Sequence, residues 1–191
     1  RDLEGRKFSK SLGNGIEPQY LVDKWGVDAS RMALYTYSIP GRDGRVNKAV
    51  LDERGKNFRN FGTKIRNIAR FVLELKQQET SNKRQATNEY SDQWILDELD
   101  KTVKKVTKNL DNLELHLAVE ELYEFVWHKF ADKYIESTKE RRADAQPTLE
   151  NVLKQVLILL QPFMPFLTEE IYQMFEVKRK SIVLEEWPSS K

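Results

Sequence analysis

Apolar positions recur at three- and four-residue steps along most of the chain, which is the spacing of one face of an α-helix. From about Lys48 to Gln78 the stripe is Phe58, Phe61, Ile65, Ile68, Val72 and Leu75. From about Ser91 to Leu113 it is Ile95, Leu99, Val103, Val106 and Leu110, and from about Leu115 to Lys139 it is Leu122, Phe125, Val126, Phe130 and Ile135. A fourth helix, predicted over about Thr148–Gln161, is apolar on most sides and so belongs at the centre. Asp144–Pro147 reads as the break before it, Pro162 and Pro165 as its end. Thr168-Glu169-Glu170 reads as the cap of a last short helix reaching about Phe175. Ahead of the long helices, Pro18 to Trp25 reads as a short one stopped by Gly26, with Asp28 at the N-cap place before the run Ala29–Tyr37. Residues 1–16 have no period and read as an exposed, mobile loop; Thr80–Glu89 reads as a linker and Ser181–Trp187 as a candidate extended strand. The predicted fold class is all-α: an antiparallel helical bundle from residue 48 onward, preceded by a loop and short helices in residues 1–47. Neither internal repeats nor sustained heptads interrupt that reading.

Composition narrows the function classes. Among 191 residues there is no Cys, which excludes disulfides, thiol catalysis and Cys metal sites, and the 2 His exclude a His-rich metal site. Charge adds an asymmetry: residues 1–84 hold 18 basic and 10 acidic side chains, and residues 85–191 hold 14 basic and 20 acidic. A split of this size points to a polyanion against one part, or to clustering on solvated helices. No run approaches a membrane span and no signal peptide is present, so a cytoplasmic protein without a membrane partner is expected. The chain opens on Arg1 rather than Met, as a piece of a longer protein or a trimmed N-terminus would.

Two segments carry candidate chemistry. Lys7-Phe8-Ser9-Lys10-Ser11 places two ammonium groups and two hydroxyls close together, followed by Gly13 and Asn14. Such donors stabilise charge on a transferring phosphoryl group, although the same composition also suits a solvated loop. On the first long helix, Lys56, Arg59, Asn60, Thr63, Arg66, Asn67 and Arg70 fall opposite the apolar stripe, with Phe71 at the margin. Between Lys48 and Lys76 there are eight basic residues and three acidic ones. Basic side chains on one face bind phosphates, amides read base edges, and Phe71 could stack on an unpaired base or lie in the core. His116, His128, Trp94 and Trp127 read as structural, and the mixed charges of Lys101, Lys104, Lys105 and Lys108 with Asp97, Glu98, Asp100 and Asp111 read as a solvated face of helix ion pairs.

Lys7-Phe8-Ser9-Lys10-Ser11-Leu12-Gly13-Asn14 resembles the KMSKS signature of class I aminoacyl-tRNA synthetases, with Phe8 where Met is usual. The segment Tyr20 to Arg31 is similar to the stretch after the signature in the valine, isoleucine and leucine enzymes. Pro40-Gly41-Arg42-Asp43, Arg59-Asn60-Phe61, Pro162 to Tyr172 and Glu186-Trp187-Pro188 are most similar to the valine branch. The resemblance implies that residues 1–47 end a catalytic domain and that residues 48–191 form the helical anticodon-binding domain. It implies ATP, with magnesium, as substrate, contacted by Lys7, Ser9, Lys10 and Ser11, with Lys10 as the catalytic cation on the departing pyrophosphate and Lys7 in support. It implies the anticodon stem-loop of tRNA as partner of Lys56, Arg59, Asn60, Lys64, Arg66, Asn67, Arg70 and Phe71, and valine as the amino acid. The family's HIGH motif and nucleotide-binding sheet are absent, so the segment alone is expected to be inactive. The rivals are the same region of an isoleucine or leucine enzyme and a freestanding helical RNA-binding module.

Overall fold

In the computed structural model, which describes residues 1–73, 89–176 and 178–189, every element is helical, and no strand occurs among the described residues. Two short helices come first, α1 (Pro18–Trp25) and α2 (Val27–Tyr35). Pro18 occupies the first turn of α1, where its missing N–H costs nothing. Gly26, at φ +84°, takes the chain directly from α1 into α2. Asp28 is therefore not the N-cap of α2; it lies inside the first turn and does its capping elsewhere.

The predicted long helices are present. Helix α3 (Lys48–Leu73) buries Phe58, Phe61, Ile65, Ile68 and Val72; Leu75 and the expected linker up to residue 88 lie outside the described residues. Helix α4 (Glu89–Asp111) buries Ile95, Leu99, Val103 and Val106. It ends in a turn whose Leu113 has φ +59°, with Leu113 N donating to Leu110 O and Glu114 N to Asn109 O at 2.8 Å. That pair of bonds is a Schellman motif, and it turns the chain back antiparallel.

The third helix differs from a regular 3.6-residue pattern. Helix α5 (Leu115–Glu124) continues as a π-helix over Phe125–Ile135 and closes with the single turn α6 (Glu136–Thr138). Phe125, Phe130 and Ile135 recur every five residues, the spacing a π-helix brings onto one face, and the rings of Phe125 and Phe130 stack 6.4 Å apart.

Helix α7 (Arg142–Leu160) starts earlier than expected, so Asp144–Pro147 forms its first turns rather than a break. Pro147, in the second turn, forfeits one intrahelical bond. Its later residues Leu149, Val152, Leu153 and Val156–Leu160 are buried, as a central helix requires. Helix α8 (Pro165–Tyr172) stops short of Phe175. Thr168 is interior to it, its hydroxyl donating to the carbonyl of Met164 at 3.0 Å, and does not cap it. The cap comes from α2: the Asp28 carboxylate accepts from Leu167 N at 2.7 Å and from Phe166 N at 3.4 Å. Neighbouring Arg31 donates to the carbonyls of Pro162 and Phe163, so α2 holds both sides of the α7–α8 corner. The tail forms a 3-10 turn over Ile182–Leu184, not a strand, with Ile182 buried against the bundle.

Two apolar clusters result. The large one unites α2 with α3, α4, the α5–π segment, α7 and α8. A smaller one, Leu21, Val46 and Leu51, sits between α1 and the start of α3, with Phe8, Ile16, Tyr20 and Tyr37 against it.

Candidate nucleic-acid interface and signature loop

The loop of residues 1–16 is held by side chains, which its composition did not indicate. Asp2 is only 8% exposed, and its carboxylate accepts from Arg6 N and Arg6 Nε at 2.8 Å each and from Asn14 Nδ2 at 2.9 Å. The Asn14 bond, with the Arg6 contacts, outweighs burial and brings the Asp2 carboxyl down to about 2. Asn14 also accepts from Ser9 N at 2.8 Å and donates to the Lys7 carbonyl at 3.3 Å, so the stretch Lys7–Ser9 is folded around its amide. Ser9 and Ser11 share a hydroxyl–hydroxyl bond of 2.8 Å. Gly13, at φ +61°, closes the turn by donating to the Lys10 carbonyl. Phe8 packs on the smaller cluster and anchors the loop. Lys7 and Lys10 are exposed, and neither makes an ion pair with a carboxylate among the described residues. The loop therefore presents two ammonium groups and two linked hydroxyls on a fixed backbone.

The outer face of α3 brings Lys56, Arg59, Asn60, Arg66, Asn67 and Arg70 to solvent together. Several are engaged. Arg66 forms a forked pair with Glu170 of α8, Nη2 to Oε2 at 2.8 Å and Nε to Oε1 at 3.3 Å. Arg59 donates to the Lys24 carbonyl at the end of α1 at 3.3 Å. Lys64 is half-buried, 2.9 Å from Asp132 and over the Trp127 ring, so its charge is used within the protein. Phe71 is half-buried against the core, with the Arg142 guanidinium 3.9 Å from its ring centroid and bonded to its carbonyl, so that ring face is covered.

The histidines, the tryptophans and most of the mixed charges expected to be structural are engaged within the protein, but the α4 charges are not all helix ion pairs on a solvated face, since Lys105 reaches Glu121 of α5 and the largely buried Glu98 also binds Lys129. Lys101 pairs with Glu98, Lys104 with Asp100 and Lys105 with Glu121, at 2.6–2.8 Å. The bonds from Lys101 and Lys129, against burial, hold the Glu98 carboxyl at about 2. His116 contacts the Ser38 carbonyl, and His128 lies between Glu124 and Asp132. Trp94 and Trp127 flank the large cluster. No group of three or more His, Cys, Asp or Glu among the described residues could hold a metal ion, and none of their helices is long and apolar enough to cross a membrane. Sequence reasoning missed Asp2, Arg142 and Asp52 and gave Asp28 the wrong helix to cap, because each has a partner outside its own local pattern. Of the loop's polar fixing residues, Asn14 carried a signal, through the Gly-Asn pair that follows Lys7–Leu12.

Known proteins carry the same two segments in the same order. The family described as tRNA synthetases class I (I, L, M and V) matches residues 1–47, and the anticodon-binding domain of tRNA ligase matches residues 92–191. The valine–tRNA ligase of Clostridium perfringens is 40% identical over 199 residues, covering 99% of this chain and 22% of that protein. The valine–tRNA ligase of Pseudothermotoga lettingae is 42% identical over 195 residues, covering 98% of this chain and 22% of that protein. The chain thus spans about a fifth of the length of these relatives. The crystal structure of the ternary complex of Agrobacterium radiobacter K84 agnB2 LeuRS-tRNA-LeuAMS shares the fold, with TM-score 0.74 and 23% identity over 99% of this chain and 23% of that one. With the anticodon-binding model matching more than half of its residues and the class I model matching those at its start, the chain belongs to the class I aminoacyl-tRNA synthetase family and contains its anticodon-binding domain.

Proposed function

We propose that this chain is the part of a cytoplasmic valine–tRNA ligase in which the ATP-contacting signature loop joins the anticodon-binding bundle. Residues 1–47 end the catalytic domain and residues 48–191 hold the anticodon stem-loop. What carries the assignment to valine is identity of about 40% to valine–tRNA ligases along nearly the whole chain. What supports the chemistry is the loop, which fixes its backbone through Asp2 and Asn14 while leaving Lys7 and Lys10 exposed. In the complete enzyme the valine carboxylate attacks the α-phosphorus of ATP, the α–β P–O bond breaks, and pyrophosphate leaves with the negative charge. Lys10 stabilises that charge, Lys7 supports it, and the Ser9–Ser11 pair keeps the hydroxyls together. Magnesium would accompany the ATP substrate. On the bundle, the exposed Arg59, Arg66 and Arg70 meet phosphates, with Lys56, Asn60 and Asn67 beside them; Lys64 and Phe71 are secondary because Lys64 is half-buried over Trp127 and Arg142 covers the Phe71 ring.

The test is amino-acid-dependent pyrophosphate exchange by the full-length enzyme. Lys10→Ala lowers kcat by more than about tenfold with little change in KM for valine, because a charge acting on the developing pyrophosphate contributes mainly to the transition state. Lys7→Ala costs less. Equal losses, or a Lys10→Ala effect confined to valine binding, would overturn these roles.

A further inference from the structure

The smaller apolar cluster and the polar contacts around it join the signature loop to the basic helix. Asp52 lies one turn into α3. Its Oδ2 accepts from Lys24 Nζ at 2.6 Å and from Tyr20 OH at 2.7 Å, and its Oδ1 accepts from Trp25 Nε1 at 2.9 Å. All three donors belong to α1, so one carboxylate on α3 gathers one face of the neighbouring helix. Burial opposes ionisation here, but the bonds from Lys24, Tyr20 and Trp25 prevail and hold the carboxyl at about 2. Lys48 adds a cation 4.1 Å from the Tyr20 ring centroid. At Gly55 a Cβ would lie 2.5 Å from Cδ1 of Trp25, so only glycine lets the indole come this close to α3. Arg59, from the basic face, bonds the carbonyl of Lys24 at the end of α1.

The other side of α1 meets the loop. Leu21 shares its cluster with Val46 and Leu51, and Phe8 and Ile16 pack on it from the loop. Trp25 touches both this cluster and the main core. Loop, α1 and α3 are thus connected through contacts of two kinds, apolar at Phe8 and polar at Asp52.

We infer that Asp52 is a positioning residue for the signature loop: by fixing α1 against α3, with Gly55 admitting Trp25, it sets where Lys7 and Lys10 stand relative to the basic face that takes tRNA. This rests on the assignment of the loop to ATP chemistry. A lysine displaced by about an ångström from a developing charge loses much of its effect, and small misplacements of this kind cost on the order of a hundredfold in rate. The joint therefore acts on kcat rather than on tRNA affinity.

The experiment uses the full-length enzyme and four variants, Asp52→Ala, Asp52→Asn, Gly55→Ala and Lys10→Ala. Pyrophosphate exchange, KM for valine, tRNA affinity and melting temperature are measured for each. Asp52→Ala is expected to lower kcat for exchange by about tenfold or more, with KM for valine and tRNA affinity within about twofold of the parent. Asp52→Asn keeps one acceptor oxygen, enough for Trp25 or for the Tyr20–Lys24 pair but not for both, and recovers part of the rate. Gly55→Ala, which leaves the carboxylate intact but displaces Trp25, reproduces the Asp52→Ala defect. If Lys10→Ala abolishes exchange while Asp52→Ala and Gly55→Ala leave it unchanged, the positioning role is wrong and the loop assignment stands. If Lys10→Ala leaves exchange unchanged, the loop assignment fails and the inference with it. If Asp52→Ala lowers kcat, tRNA affinity and melting temperature together, without recovery in Asp52→Asn, the residue is structural in general and the inference is overturned.

Discussion

At the scale of single residues, backbone conformation can outvote side-chain preference. Leu113 is the one non-glycine with positive φ among the described residues, at +59°, and it is 70% exposed. It occupies the position of the Schellman turn where glycine is usual, and a side chain with a Cβ costs roughly 1–2 kcal/mol there. Leu113→Gly removes that strain and gives back about 0.4–1 kcal/mol through the more flexible unfolded chain. The expected result is a net stabilisation of about 0.5–1 kcal/mol, or a rise of about 1–4 °C in melting temperature for a chain of this size. Leu113→Ala keeps the strain and serves as the control; equal melting temperatures for both variants would show that the turn is not strained. The same scale explains why the loop's lock was not legible. Lys7, Ser9, Lys10 and Ser11 announce themselves by type and spacing, but Asp2 ties the loop together because Asn14 closes on it from twelve residues away, beside its local bonds from Arg6.

At the scale of elements, α3 and α4 were legible because each buries one regular face, and α7 because it is apolar on most sides. Element ends were legible where the signal is local, as for Pro18, Gly26 and Pro162, and not where the partner is remote. The Asp28 carboxylate caps α8 across 139 residues of sequence, so neither its own helix nor Thr168 could reveal it. The five-residue spacing of Phe125, Phe130 and Ile135 was present in the sequence, but it is a π-helix signal and a 3.6-residue template passes over it. Asp28→Ala is expected to cost about 1 kcal/mol, the usual worth of an N-cap, and Asp28→Asn to retain most of it, since an amide oxygen still accepts from Leu167 N. Burial raises the Asp28 carboxyl above its usual range in spite of those two backbone bonds, so the neutral Asn is the better mimic near that titration. Thermal melting of the two variants distinguishes them; a loss in Asn as large as in Ala would mean that the charge, and not the hydrogen bond, holds the α7–α8 corner.

At the scale of the whole molecule, the division into a basic first part and an acidic remainder has an internal component. Arg66 with Glu170 and Lys64 with Asp132 both join the basic helix α3 to acidic residues of the later elements. These are surface pairs, worth about 0–1 kcal/mol each, and RNA phosphates can compete for the arginine. Charge asymmetry by itself therefore does not separate an RNA face from an intramolecular match, and a matched pair of variants does. Arg66→Glu places a carboxylate against Glu170, and Lys104→Glu places one against Asp100, so each trades a surface pair for a like-charge contact and the folding penalties are similar. Only the first also puts negative charge on the proposed tRNA face. Arg66→Glu is expected to weaken tRNA binding by the full-length enzyme and to reduce the magnitude of its salt slope by about one unit, as the loss of one phosphate contact would, or, if Arg66 reads a base edge, to cost about 1–3 kcal/mol and relax anticodon discrimination. Lys104→Glu is expected to be nearly silent. Affinity at two salt concentrations, with circular dichroism to confirm folding, gives the comparison. Equal small effects would reduce the α3 face to solvated surface, and a large loss at Lys104 alone would put the RNA on α4 instead.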